Sequence, residues 1–128
     1  MAKEEYIFKL SLMQQEAEKM QEQLQIVNQQ IQEFEVLKLS LNNLEKEKEK
    51  EFLASLGRGI FIKGEIKDKE LFVNVGNGVV VRKKPEENCN IIDKQVRELA
   101  ELKRNLLLEL EKVNFQLQEL LEEARKEN

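Results

Sequence analysis

The 128-residue sequence has no histidine, no tryptophan, one cysteine and one proline. Without an imidazole or a second thiol, a zinc site and a Cys–His nucleophile both fail on ligand count. Cys89 cannot form an internal disulfide; it falls one turn before Ile92 on an apolar face and reads as a small buried hydrophobe. Aromatic residues make up only 5% of the chain, too few for a thick globular core. No apolar run approaches the ~18 residues of a membrane span, and the opening residues do not look like a secretion signal. A soluble cytoplasmic protein with no membrane association is therefore expected. Nucleic-acid binding is disfavoured as well, because the net charge is -4 and phosphate recognition needs a concentrated basic face.

What is present is charge and helical periodicity. Charged residues are 36% of the chain and hydrophobic ones 41%, the balance of long solvated helices, and the length permits one domain. Between residues 1 and 50, Tyr6, Leu10, Met13, Ala17, Met20, Leu24, Val27, Ile31 and Phe34 recur at alternating steps of four and three, continuing through Lys38 to Leu41. That spacing is a heptad seam. A second seam runs from 85 to 128: Cys89, Ile92, Val96, Leu99, Lys103, Leu106, Leu110, Val113, Leu117, Leu120 and Ala124. Pro85 in the first turn, followed by Glu86 and Glu87 at the positive end of the helix dipole, marks where the second helix starts. The two seams predict an antiparallel coiled coil. If Lys50 lies level with about residue 91, Lys38 and Lys103 share a layer, and both are expected to reach past the seam into water.

Glu45 to Glu51 alternates acid and base, which places like charges four apart and leaves no apolar stripe. Here helix gives way to the segment 51–84. It holds two copies of one pattern, Leu56-Gly57-Arg58-Gly59-Ile60 and Val75-Gly76-Asn77-Gly78-Val79, each followed by an apolar run. The glycines supply the positive φ that tight hairpin loops need, and β-branched runs suit pleated strands. Four strands are predicted, about Phe52 to Leu56, Ile60 to Ile66, Leu71 to Val75 and Val79 to Lys83. Apolar side chains fall on both faces, with Ile60, Ile62 and Ile66 against Phe61, and Leu71, Val73 and Val75 against Phe72. One copy of the chain cannot cover both. The fold class is thus α+β: a long antiparallel two-helix coiled coil with two β-hairpins at its base, whose strands contribute to an oligomeric β-barrel or shared sheet. The Gly-x-Gly pairs do not suit a nucleotide site, since both lie between strands and neither opens a helix.

The far ends of the helices carry more apolar surface than a two-helix seam uses. Ile7, Phe8 and Leu12 add to Tyr6, Leu10 and Met13, and Leu121 joins Leu117, Leu120 and Ala124. Such an excess at a solvated tip marks a partner surface. The simpler alternative is that Ile7 and Phe8 clamp the end of the coiled coil.

The order helix, Leu-Gly-Arg-Gly-Ile-Phe-Ile-Lys-Gly at 56–64, Val-Gly-Asn-Gly-Val-Val-Val-Arg-Lys at 75–83, helix resembles the α class of prefoldin, and two hairpins rather than one separate that class from the β class. The likeness covers essentially the whole chain, with departures at Lys84 and in the Pro-Glu-Glu-Asn-Cys-Asn opening of the second helix. It implies a hexamer of two α and four prefoldin β subunits with a double β-barrel body and six coiled-coil tentacles. It also implies ATP-independent capture of unfolded client proteins and transfer to a group II chaperonin, with no catalysis and no cofactor. On this sequence the body-forming positions are Phe52, Ile60, Ile62, Leu71, Val73, Val75, Val79 and Val81. The client-binding positions are Ile7, Phe8, Leu10, Leu12, Met13, Leu117, Leu120 and Leu121. The runner-up is a structural prefoldin-like scaffold or filament-forming protein built from the same elements.

Overall fold

The computed structural model describes residues 3–48 and 50–126. Helix α1 spans Lys3–Lys46, strands β1 and β2 Glu51–Gly57 and Ile60–Glu65, strands β3 and β4 Leu71–Gly76 and Val79–Lys83, and helix α2 Pro85–Lys126. The chain forms two compact units, one of residues 1–33 and 96–128, the other of residues 34–95.

In the first unit the two helices bury their heptad seams against each other. Leu24, Val27 and Leu106 form a buried cluster, with Ile31, Leu99 and Leu110 packed on it. Among the described residues every buried hydrophobic residue, from Tyr6 and Ala17 to Val113 and Leu120, is one of the expected seam positions. The four-three spacing brings these side chains to one stripe per helix, so packing here is decided by sequence period alone.

In the second unit the end of α1 is finished by a long-range contact and the start of α2 by a local one. Glu4 and Glu5 open α1 elsewhere in the chain and Lys46 closes it, but its last carbonyls have no intrahelical donors. Lys69, from the loop between the hairpins, donates from Nζ to the Glu45 and Glu47 carbonyls at 2.7 and 3.0 Å. The alternating charges after Lys46 thus end the helix, and a lysine from a distant loop caps it. At the start of α2 the amide of Asn88 donates to the Lys84 carbonyl at 3.3 Å. Pro85 costs nothing there, because the amide it lacks would have had no helical acceptor.

Both hairpins are antiparallel, and they form separate two-stranded sheets. Their turns are built alike. Arg58 and Gly59 have φ of +50° and +79°, Asn77 and Gly78 +51° and +73°, the paired positive angles of a two-residue turn that matches strand twist. Just before each turn the register slips, between Ser55 and Gly57 and between Asn74 and Gly76. The glycine at the slip has φ of +111° or +115°, a conformation that side-chain-bearing residues rarely adopt. A short side chain braces each slip: Ser55 Oγ accepts from the Gly57 amide at 3.3 Å, and Asn74 Oδ1 from the Gly76 amide at 3.0 Å. Gly64 has a different reason to be glycine. It pairs with Phe52 across the ladder, and a Cβ there would run into the Phe52 ring.

The expected layer of two lysines is corrected by the structure. Lys38 faces Asp93, with Nζ 2.5 Å from Oδ1, and one turn on Asn42 faces Cys89, whose Sγ lies 3.7 Å from Oδ1. Lys103 belongs to the other unit. The expected register counted from Lys50, but α1 stops at Lys46. Counting along the observed pairs sets Lys46 level with Pro85, so the helix ends fix the register. Lys38 accordingly turns to a carboxylate instead of reaching past the seam alone.

Candidate interaction surfaces

The strand residues assigned to a shared body are open. Phe52, Ile60, Ile62, Val75 and Val79 are exposed, and Leu71, Val73 and Val81 are half-buried. Pairing puts Ala54 beside Ile62 and Val73 beside Val81 on one face of each hairpin, and Ser55 beside Phe61 and Phe72 beside Arg82 on the other. The Arg82 guanidinium sits 5.6 Å from the centre of the Phe72 ring, a cross-strand cation–π pair. Even so Phe72 remains 67% exposed, and Val80 in the same hairpin and Leu53 and Phe61 in the other are exposed too. Apolar side chains therefore stand in solvent on both faces, as the strand pattern leads one to expect. Because each sheet has two strands, every strand also keeps an unpaired edge.

One side of β3 borders a groove of about 570 Å³, whose far wall is made by Phe34, Leu37 and Leu41 of α1 and Ile91 and Ile92 of α2. Asn88 lines the same groove, and its Nδ2 is buried without an acceptor. Leu37 and Ile91 stand outside the heptad seams, which is why counting seam positions passes over them. Between the helices at the partly exposed Lys38–Asp93 pair, the hydrogen bond from Lys38 to Asp93, reinforced by attraction between their charges, raises the lysine above its ordinary pKa.

At the free ends of the helices the eight assigned residues divide. Ile7, Phe8, Leu12 and Leu121 are exposed, Phe8 at 66%. Leu10, Met13 and Leu117 are half-buried and Leu120 is buried, all four being seam positions. The first group presents apolar surface; the second holds the two helices together beneath it. Leu108 and Phe115 are exposed as well, and a search confined to the helix ends misses them.

The prefoldin-subunit family model matches residues 13–128. The chain belongs to the prefoldin family. A prefoldin α subunit of Thermofilum pendens is 30% identical over 112 residues, covering 86% of this chain and 87% of the relative. That of Pyrococcus horikoshii is 30% identical over 115 residues, 85% of this chain and 78% of its own. The prefoldin α subunit of Methanobrevibacter smithii is 28% identical over 106 residues, 82% of this chain and 73% of its own. The fold is similar to a chain in the cryo-EM structure of filamentous prefoldin from Methanocaldococcus jannaschii, with a TM-score of 0.72 and 16% identity over 94% of this chain and 98% of that one. The kinship inferred from the two Gly-x-Gly hairpins thus holds, and the relatives are named as α subunits. Among the described residues of this prefoldin no helix is long and apolar enough to cross a membrane.

Proposed function

We propose that this prefoldin acts as a chaperone by holding unfolded polypeptides at the ends of its paired helices without ATP, and by passing them to a group II chaperonin in the cytoplasm. The observation that carries the reading is the exposure of Ile7, Phe8, Leu12 and Leu121 in a unit whose seam is already closed by Leu24, Val27 and Leu106. Those four side chains have no packing role left to explain them, and exposed apolar groups at a tip are what a non-native chain seeks. Each tip binds weakly. Several tips joined through one body raise the effective concentration of binding groups around a single client, so weak contacts add up to retention. The body in this reading is made by the hairpins, two α and four β subunits completing each other's sheets through Phe52, Ile60, Ile62, Leu71, Val73, Val75, Val79 and Val81.

The test is suppression of aggregation. Ile7→Ser, Phe8→Ser and Leu12→Ser together should leave the mass of the complex unchanged while weakening protection of an unfolded client; undiminished protection removes the assignment of these residues. A second reading, a filament-forming scaffold, draws on the likeness to a filamentous prefoldin. Mixing the chain with a β-class subunit separates the two: a closed particle of six subunits supports the chaperone, and open-ended polymers support the scaffold.

A further inference from the structure

We infer that the outward face of α2 carries a second holding site for unfolded polypeptide, centred on Leu108 and Phe115; the inference rests on the holding function proposed above. The heptad positions of α2 directly opposite the seam are Lys94, Glu101, Leu108, Phe115 and Glu122. In a two-helix coiled coil that position points away from the partner helix, and charged residues are its ordinary occupants. Two successive ones are apolar here, 53% and 61% exposed. Neither serves the seam, which Leu106 and Val113 close on the opposite side. Between them lies a shallow surface groove of about 460 Å³, bordered also by Glu111, Lys112 and Gln116. It lies in the same compact unit as Ile7, Phe8, Leu12 and Leu121.

Three features select an unfolded chain over a folded partner or a second copy. At 53% and 61% exposure the two side chains offer on the order of 200 Å² of apolar surface. A stable interface takes roughly 800 Å² from each partner, so this face suits a weak contact that counts only alongside others. Seven residues of helix set the two side chains about 10 Å apart. In the polyproline II conformation that unfolded chains favour, residues three apart return to the same edge after about 9 Å, so an apolar-x-x-apolar segment can seat both side chains at once. Finally, the rim has one acid, Glu111, and one base, Lys112, which sets no charge requirement on what binds, as a holder of varied sequences needs.

The experiment uses the full chain in the complex it forms, with guanidine-unfolded lysozyme as the probe. Leu108→Ser with Phe115→Ser should lower protection of the probe by about threefold, the scale of one weak contact removed from several. Assembly mass and thermal unfolding should match the wild type, and Glu101→Ser, at the same heptad position one step away, should change nothing. As a measurement independent of any loss of folding, a benzoyl-phenylalanine photocrosslinker in place of Phe115 should capture unfolded lysozyme and not native lysozyme. Unchanged protection in the double variant, a fall in assembly mass, or crosslinks to other subunits in place of the probe would each overturn the inference. The tip variant run in parallel tells the two proposals apart: if it weakens protection and the α2 variant does not, the second site alone fails, and if neither does, the holding function fails with it.

Discussion

The helix seams and the strands are both apolar, yet only the seams are dry. Residues such as Val27, Ile92 and Val113 are buried, whereas among the described strand residues none is buried and Leu53, Phe61 and Phe72 stand largely in solvent. A seam needs one partner helix, and the same chain supplies it. A two-stranded hairpin needs a cover on each face and a neighbour on each edge, and among the described residues only one side of β3 is partly covered, by α1 and α2. The contrast separates what this sequence stabilises alone from what, in the proposed assembly, neighbouring subunits complete.

The strongest way to break the contrast is at the strands. Val73→Asp with Val79→Asp puts charge where apolar surface should be covered, and uncompensated charge is costly to bury. The complex should dissociate, seen as loss of the high-mass species in sedimentation, while circular dichroism keeps the helical signal. If the assembly mass is unchanged, the strands are not the interface. At the seam, Leu106→Ala should cost about 2–4 kcal/mol by opening a cavity beside Leu24 and Val27, read from chemical denaturation. At the hairpin turns, Gly76→Ala forces a Cβ onto a φ of +115° and should cost about 1–2 kcal/mol, with Gly57→Ala similar.

The Lys38–Asp93 pair gives a smaller, pH-dependent effect. Because the folded-state lysine lies above its ordinary value of 10.5, the pair contributes fully below that value and is lost as pH rises through the folded one. Stability of the wild type should fall between neutral and strongly alkaline pH by more than that of Asp93→Asn, measured by denaturation at each pH. Equal slopes would mean that the ion pair contributes nothing to the fold. The smallest effect on stability belongs to Ile7→Ser with Phe8→Ser and Leu12→Ser, within about 0.5 kcal/mol of the wild type as expected for exposed sites.

The seams were legible because burial along two helices is a matter of period, and Tyr6, Ala17, Ile92 and Leu120 lie where the four-three count puts them. The hairpins were legible from Gly-x-Gly, although the pattern does not reveal that Arg58 and Asn77 also take positive φ or that the first glycine marks a slip in register. The facing of Lys38 and Asp93 was not legible, because it depends on where α1 stops and the alternating charges from Glu45 onward leave that open by several residues. Lys69 and Gly64 escaped for a related reason: the lysine caps a helix more than twenty residues away in sequence, and the glycine answers to a ring on the next strand. Among candidate surface residues, Ile7, Phe8, Leu12 and Leu121 stand out as apolar groups beyond the seam. Leu108 and Phe115 become apparent only when the positions opposite the seam are read in turn.

Sedimentation of the chain over a wide dilution series, with hydrogen exchange of the hairpin amides followed at each concentration, tests the central claim most directly. A subunit whose strands depend on neighbours will lose protection at Phe52 to Gly57 and Leu71 to Gly76 as the high-mass species disappears, with the helix amides near Val27 and Leu106 surviving longer. A dilute monomer that keeps its hairpin amides protected would contradict it.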